Sequence, residues 1–319
     1  MARPPVIQDS RRSAPARPPE RFLPMFADEV RARGWSELDV LLVTGDAYVD
    51  HPSFGAAVIG RVLEAQGYRV GIVAQPDWRT TADVLRLGRP RLFVGITSGA
   101  MDSMVNHYTA HKRRRSDDAY TPDGTAGKRP DRATTVYAKV VREAFGPNLP
   151  IVVGGIEASL RRIAHYDYWD DRVLPSVLVP SGADLLVYGQ GEKSVLEIAR
   201  RLASGEDMCG LVDVPGTAIA VRDLALAQLE GRRRTVLELP AFEDIALDKR
   251  RFAEFSRLYH LEHNGDNARI LVQRHGRGEK LRHVVVNEPM PSPTTEELDR
   301  IAELPYVREA HPSYGGLHI

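Results

Sequence analysis

The chain of 319 residues carries 43 basic and 43 acidic side chains, 43% hydrophobic residues and one cysteine, Cys209. The zero net charge gives no global electrostatic argument for nucleic acid or an anionic membrane as partner, and one cysteine excludes an internal disulfide, as suits a cytoplasmic protein. No apolar run approaches the roughly 18–20 residues of a membrane span. Residues 1–20 are polar and proline-rich, lack the apolar segment of a secretory signal, and are expected to form a disordered tail.

Short apolar runs then recur: LDVLLVT (38–44), YRVGIVA (68–74), RLFVGIT (91–97), LPIVVGG (149–155) and ADLLVYG (183–189). They are apolar on both faces, as strands of a helix-covered parallel sheet should be. Helical patterns separate them. Ser53 is placed to cap FGAAVIGRVLEAQ, where Phe54, Val58, Val62 and Ala65 share a face, and Asp131 to cap ATTVYAKVVREAF. EKSVLEIARRLASG puts Val195, Ile198 and Leu202 on one side. Alternating strands and helices predict a doubly wound, mainly parallel α/β domain over residues 21–205. The polar segment 111–132 is longer than most loops and reads either as a lid or partner contact or as a solvated surface loop.

A smaller α+β region follows over residues 206–319. TAIAV and TVLEL are expected to pair as strands, and LDKRRFAEFSRLYHLEH (247–263) to form a helix. ARILVQRHGRGEKLRHVVVNEP (268–289) reads as two strands around a Gly-rich turn, and PTTEELDRIAEL as a helix capped by Thr294 or Thr295. HPSYG (311–315) echoes HPSFG (51–55), which we read as two independent His-Pro turns.

Familiar catalytic motifs fail. GITSGAM puts its serine one place late for a nucleophile elbow. GQGEKS lacks the glycine before lysine of a P-loop and the third glycine of a dinucleotide fingerprint. HYTAH gives His107 and His111 helical spacing without the glutamate of a zinc hydrolase. Position says more, since open parallel sheets bind ligands at the carboxyl ends of their strands. Polar residues gather at those ends: Asp46, Asp50, His51 and Ser53 after the first run, Ser98 after the third, Gly154, Gly155, Glu157, Arg161 and His165 after the fourth, Glu192 after the fifth. These are the candidates for a ligand or interface. Asp46 or Ser53 is expected to satisfy backbone donors at the start of the following helix, with His51 facing the open edge.

The serine after the third strand, the Gly154–Gly155 pair and G-x-G-E at 189–192 make the first region similar to a cobalamin-binding-type domain, a flavodoxin-like arrangement. Such domains carry D-x-H-x-x-G, with the histidine on cobalt. Here Asp50 and His51 are adjacent, Pro52 follows and Gly55 comes one residue late. Cobalamin held through His51 is therefore not expected.

Longer strings narrow the resemblance. FLPM (22–25), VTGDAYVDHPSFG, GRVLEAQGYRVGIVAQPDW, SDDAYTPDG-x-AGKRPDRAT, GGIEASLRRIAHYDYW and LPYVREAHPSYG together resemble the YgiQ family of radical-SAM proteins, from about residue 20 onward. The resemblance implies a 4Fe-4S cluster and S-adenosylmethionine for the complete protein, held by a C-x-x-x-C-x-x-C loop in a barrel. In the family that loop lies shortly after HPSYG; this chain contains Cys209 alone and stops at Ile319. It is expected to be the N-terminal accessory portion, catalytically incomplete alone and binding no cofactor by itself. Its partner would be a radical-SAM barrel in cis or on a separate polypeptide. The alternatives are a free-standing small-molecule binder using the strand-end cleft, and a hydrolase or transferase built on loop Asp, Glu and His, which the missing nucleophile motif argues against.

Overall fold

A computed structural model describes residues 21–319, so the expected disordered tail over 1–20 lies outside the described residues. The strands are β1 (Val40–Thr44), β2 (Val70–Ala74), β3 (Phe93–Thr97), β4 (Ile151–Gly154), β5 (His165–Asp167), β6 (Arg172–Leu174), β7 (Leu185–Val187), β8 (Thr217–Val221), β9 (Val236–Leu239), β10 (Ile270–His275) and β11 (Arg282–Val286). The helices are α1 (Ala27–Ala32), α2 (Gly55–Glu64), α3 (Ala82–Leu85), α4 (Ser103–His107), α5 (Ala133–Phe145), α6 (Gly155–Leu160), α7 (Leu178–Ser181), α8 (Glu192–Ala203), α9 (Phe242–Leu247), α10 (Lys249–His260) and α11 (Thr295–Ala302).

All five apolar runs become neighbouring strands. The main sheet has the order β2-β1-β3-β4-β7-β8-β11-β10-β9 among the described residues. β2, β1, β3, β4 and β7 are parallel; β8, β11 and β10 alternate in direction, and β9 is parallel to β10. Side chains alternate between two cores. Leu41 and Val43 pack on one face with Val94, Ile96 and Tyr137 of α5. Val40 and Leu42 pack on the other with Val58 and Val62 of α2 and Ile198 of α8. Burial on both faces is why these runs do not alternate in polarity. The β7–β8 pairing joins the strands of the later region to the same sheet.

Some local expectations are corrected. TAIAV and TVLEL do not pair: β8 lies between β7 and β11, and β9 forms the edge beside β10. The 268–289 hairpin forms as expected, so β11 takes the place beside β8 that β9 would have needed. α2 begins after Phe54, not Ser53, and has no side-chain cap; Ser53 lies in the His-Pro turn, where its amide donates to His51 Nδ1 (3.1 Å). α5 begins after Arg132, not Asp131, whose carboxylate binds His107 Nδ1 (2.6 Å) and the Tyr108 hydroxyl (2.7 Å). α4 ends at His107, so His107 and His111 do not share a helix. Thr294 does cap α11, with Glu297 returning a bond to the Thr294 amide in a capping box.

Candidate functional site

The chain runs from β1 to β2 on one side, then crosses back to β3 on the other side of β1. The carboxyl ends of β1 and β3 are therefore a topological switch point, where an open sheet leaves a crevice. Two adjoining cavities occupy it. One, of about 260 Å³, lies over Thr44, Asp46, Thr97, Gly99 and Ala100. The other, of about 350 Å³, runs as an apolar slot between Gly95, Val152 and Val187 of the sheet and Ile59 and Val195 of α2 and α8. Ser53, Gly55, Ala56, Thr97 and Gly155 line both.

Small residues keep the crevice open. Gly155 sits at φ +80°, and a Cβ there would lie 2.3 Å from Thr97 Oγ1. At Gly45 a Cβ would lie 2.1 Å from the Ser98 carbonyl, so only glycine lets the loops after β1 and β3 touch. α2 and α8 both start at the cleft without a side-chain cap.

The segment 111–132 is anchored beside this end of the sheet. Its Arg129 is 1% exposed. The guanidinium holds Asp118 through Nε and Nη2 (3.1 Å each) and the Ser98 carbonyl through Nη1 (2.9 Å), and approaches Asp46 Oδ1 at 2.9 Å. Tyr120 accepts the Ala47 amide on its carbonyl, and Gln75 ties Gly45 to Thr121. The insertion is thus anchored to β1 and β3 through buried polar groups. Burial pushes the Asp46 carboxyl up to about 6, against the pull of Arg129 and of the Ala100 amide that Oδ2 accepts (2.6 Å).

The candidate residues divide. Asp46, Ser53, Gly154, Gly155 and Glu192 line the cavities. Asp46 bonds the β3–α4 loop, so neither it nor Ser53 caps α2. Asp50 is fully buried, accepting Arg61 Nε (3.0 Å), Arg61 Nη2, the Tyr48 hydroxyl (3.1 Å) and the Val307 amide (2.8 Å). Ser98 turns its hydroxyl to the Met101 carbonyl. Glu157 is 1% exposed and accepts the Ser103 and Thr134 amides (2.9 Å each), serving the starts of α4 and α5 at once. Arg161 pairs with Asp102, the cap of α4. His51 lines neither cavity, and His165 bonds the Ile163 carbonyl through Nδ1 (3.2 Å). Arg129, which ties the 111–132 segment to the loops after β1 and β3, carries no signal inside a polar stretch of sequence; its neighbours in the fold mark it.

The residues do not fit an iron–sulfur cluster, which needs three thiolates. Cys209 is exposed in the turn after Asp207, and no group of three His, Cys, Asp or Glu could hold a metal ion among the described residues.

An open, mostly parallel α/β sheet with its crevice at the strand-order switch and a long polar loop anchored beside it is the class of domain that these features define. The chain belongs to the radical SAM N-terminal family, whose model matches residues 22–319. It is 52% identical to a UPF0313 protein of Rhodopseudomonas palustris over 99% of this chain and 48% of that protein. It is 46% identical to the UPF0313 protein YgiQ of Escherichia coli over 94% of this chain and 47% of that one. The chain thus spans about half the length of the curated relatives it matches. Among solved structures it is similar to the radical S-adenosylmethionine methyltransferase TsrM of Kitasatospora setae, with 20% identity and a TM-score of 0.37 over 56% of this chain and 28% of that one. No helix among the described residues is long and apolar enough to cross a membrane.

Proposed function

We propose that this chain is the N-terminal accessory portion of a UPF0313 radical-SAM iron–sulfur protein, and that its strand-end crevice receives a small molecule for chemistry carried out by a cluster-bearing region. The observation that carries this reading is the pair of adjoining cavities at the switch point, apolar in the slot and polar where Thr44, Asp46 and Thr97 meet. The lone exposed thiol supports the accessory role, because it cannot supply a cluster's ligands. The ligand would lay an apolar body against Gly95 and Val152 and present polar groups to Asp46 and the uncapped start of α2. Cobalamin held through His51 is not part of the proposal. Nδ1 already accepts the Ser53 amide, which leaves the proton on Nε2, the nitrogen a cobalt ion would need.

Gly55→Leu tests the crevice. A Cβ at Gly55 meets nothing within 4 Å, so the larger side chain fills the shared wall without strain. Melting shifts of the chain with S-adenosylmethionine, nucleotides and cobalamin should identify a ligand whose effect disappears in Gly55→Leu. A ligand at a hundred times its dissociation constant stabilises by about 2.7 kcal/mol. A shift that Gly55→Leu leaves intact would place the ligand elsewhere and remove the crevice from the reading.

A further inference from the structure

One surface stands apart from the crevice. The segment 111–132 carries Lys112, Arg113, Arg114 and Arg115 near its start, all exposed. None of the three arginines has an ion-pair partner within 4.0 Å among the described residues. Nearby carboxylates are hydrogen-bonded elsewhere: Asp118 by Arg129, Asp131 by His107 and Tyr108, Asp170 by Arg132, Asp171 by Tyr166; Arg114 acts on Asp131 only through longer-range attraction. Asp117 is left as an exposed carboxylate beside four cations.

Aromatic rings stand against this run. The tip of the β5–β6 hairpin carries Tyr168, 50% exposed, and Trp169, with ring centroids 5.3 Å apart. Tyr108 lies 5.4 Å from Trp169. The hairpin is held to residues 110–112 by three contacts: the Tyr168 hydroxyl donates to the Ala110 carbonyl (2.6 Å), Lys112 Nζ donates to the Trp169 carbonyl (3.1 Å), and Lys112 sits 4.9 Å over the Tyr168 ring. Cations and flat rings from two distant segments are thereby fixed side by side.

A solvated charge run needs no rings. An acidic peptide would use the cations but gains little from exposed flat aromatics. Cations that follow a phosphate backbone, beside rings on which unpaired bases stack, are what single-stranded nucleic acid uses. We propose that Lys112–Arg115 together with Tyr108, Tyr168 and Trp169 form a binding surface for single-stranded RNA, a local feature that the zero net charge of the whole chain conceals.

Anisotropy of a labelled oligouridine titrated with the full chain tests this between roughly 50 and 200 mM salt. Saturable binding is expected, falling with salt. The triple variant Arg113→Gln, Arg114→Gln, Arg115→Gln should lower the salt slope by about 2, from about 0.7 per lost single-strand phosphate contact. Tyr168→Ala should weaken binding roughly tenfold with the slope unchanged. Circular dichroism checks the fold of each variant, because Tyr168 also ties the hairpin to Ala110 and Lys112; if Tyr168→Ala misfolds, Tyr168→Leu replaces it. Absence of binding at low salt overturns the proposal, as does a slope indifferent to the triple variant. Equal competition by polyglutamate or polyphosphate, with Tyr168→Ala binding as the parent does, would reveal only a general anion patch and also overturns it.

Discussion

Asp50 is the sharpest place to test whether the first strand-end loop serves binding or architecture. Its carboxylate is fully buried and accepts two bonds from Arg61, one from the Tyr48 hydroxyl and one from the Val307 amide. Asp50→Ala leaves the Arg61 guanidinium, whose side chain is 4% exposed, without its main counter-charge. Removing one partner of a buried pair costs about 3–5 kcal/mol. Arg61 still holds Glu64 Oε2 and the Arg21 carbonyl, at 2.6 Å each, which places the loss near the lower end, at about 3 kcal/mol. Urea denaturation of parent and variant measures it. Hydrogen exchange of the Val307 amide should quicken in the variant, because that amide loses its acceptor. The double variant Asp50→Leu, Arg61→Met should lose less than Asp50→Ala, since no charge remains stranded. A loss below about 1 kcal/mol with Val307 exchange unchanged would refute the architectural role.

Three further outcomes follow from buried groups. Glu157→Ala should cost about 3 kcal/mol in urea denaturation, because two amides at helix starts lose a charged acceptor; a change within surface scatter would contradict the burial. The pH dependence of stability should split by residue. Asp46 rises from 3.8 to about 6 on folding, so its contribution is full below 3.8 and is lost as pH rises through 6, on the order of 3 kcal/mol. His275, stacked on Phe242 without a hydrogen bond, is pushed from 6.5 to about 4 by burial and by nearby His165. Its contribution is present above 6.5 and is lost as pH falls through 4, again on the order of 3 kcal/mol. Relative to the parent, Asp46→Asn should therefore gain stability from about pH 4 to about pH 7, and His275→Phe should gain in the reverse direction; parallel profiles would show that neither group titrates as its burial requires. Finally, Gly99→Ala should melt well below Gly88→Ala. Both have positive φ, but a Cβ at Gly99 would lie 2.1 Å from Asp46 Oδ1, whereas at Gly88 it meets nothing within 4 Å. Equal melting of the two would mean that the Asp46 carboxylate yields freely.

What the sequence shows of this fold is what periodicity and composition can carry. Leu41 and Val43 share their run with Val40 and Leu42, so burial on both faces is readable before any contact is known. The strand ends follow, and with them Gly154, Gly155, Ser53 and Glu192 at the crevice. Partners far along the chain are not readable. Asp50 looks like a ligand or interface group until Val307 arrives, 257 residues later, and so does Glu157 until Ser103 and Thr134 are seen to donate to it. Capping fails for the same reason at α5, where the Ala133 and Thr134 amides find Ser103 and Glu157 and leave Asp131 free for His107. Strand pairing beyond residue 205 is likewise not readable, because alternation alone does not choose between β9 and β11 for β8.

The return of residues 306–318 to the first loop also has a temporal meaning. The Tyr48 amide waits for the Tyr314 hydroxyl, 266 residues away, while His311 donates its amide to the Tyr48 carbonyl, and Asp123 donates its amide to the His318 carbonyl and accepts the His318 amide on Oδ1. At a synthesis rate of 5–20 residues per second, roughly 13–50 s separate the emergence of Tyr48 from that of its partner. Throughout that interval the parallel strands can assemble but the rim of the crevice stays unfinished, with Val49 lacking the bridge to Ala310. A pulse of protease during translation should therefore cut near residues 47–54 in ribosome-bound chains that stop short of residue 306 and spare the same bonds once residue 318 has emerged.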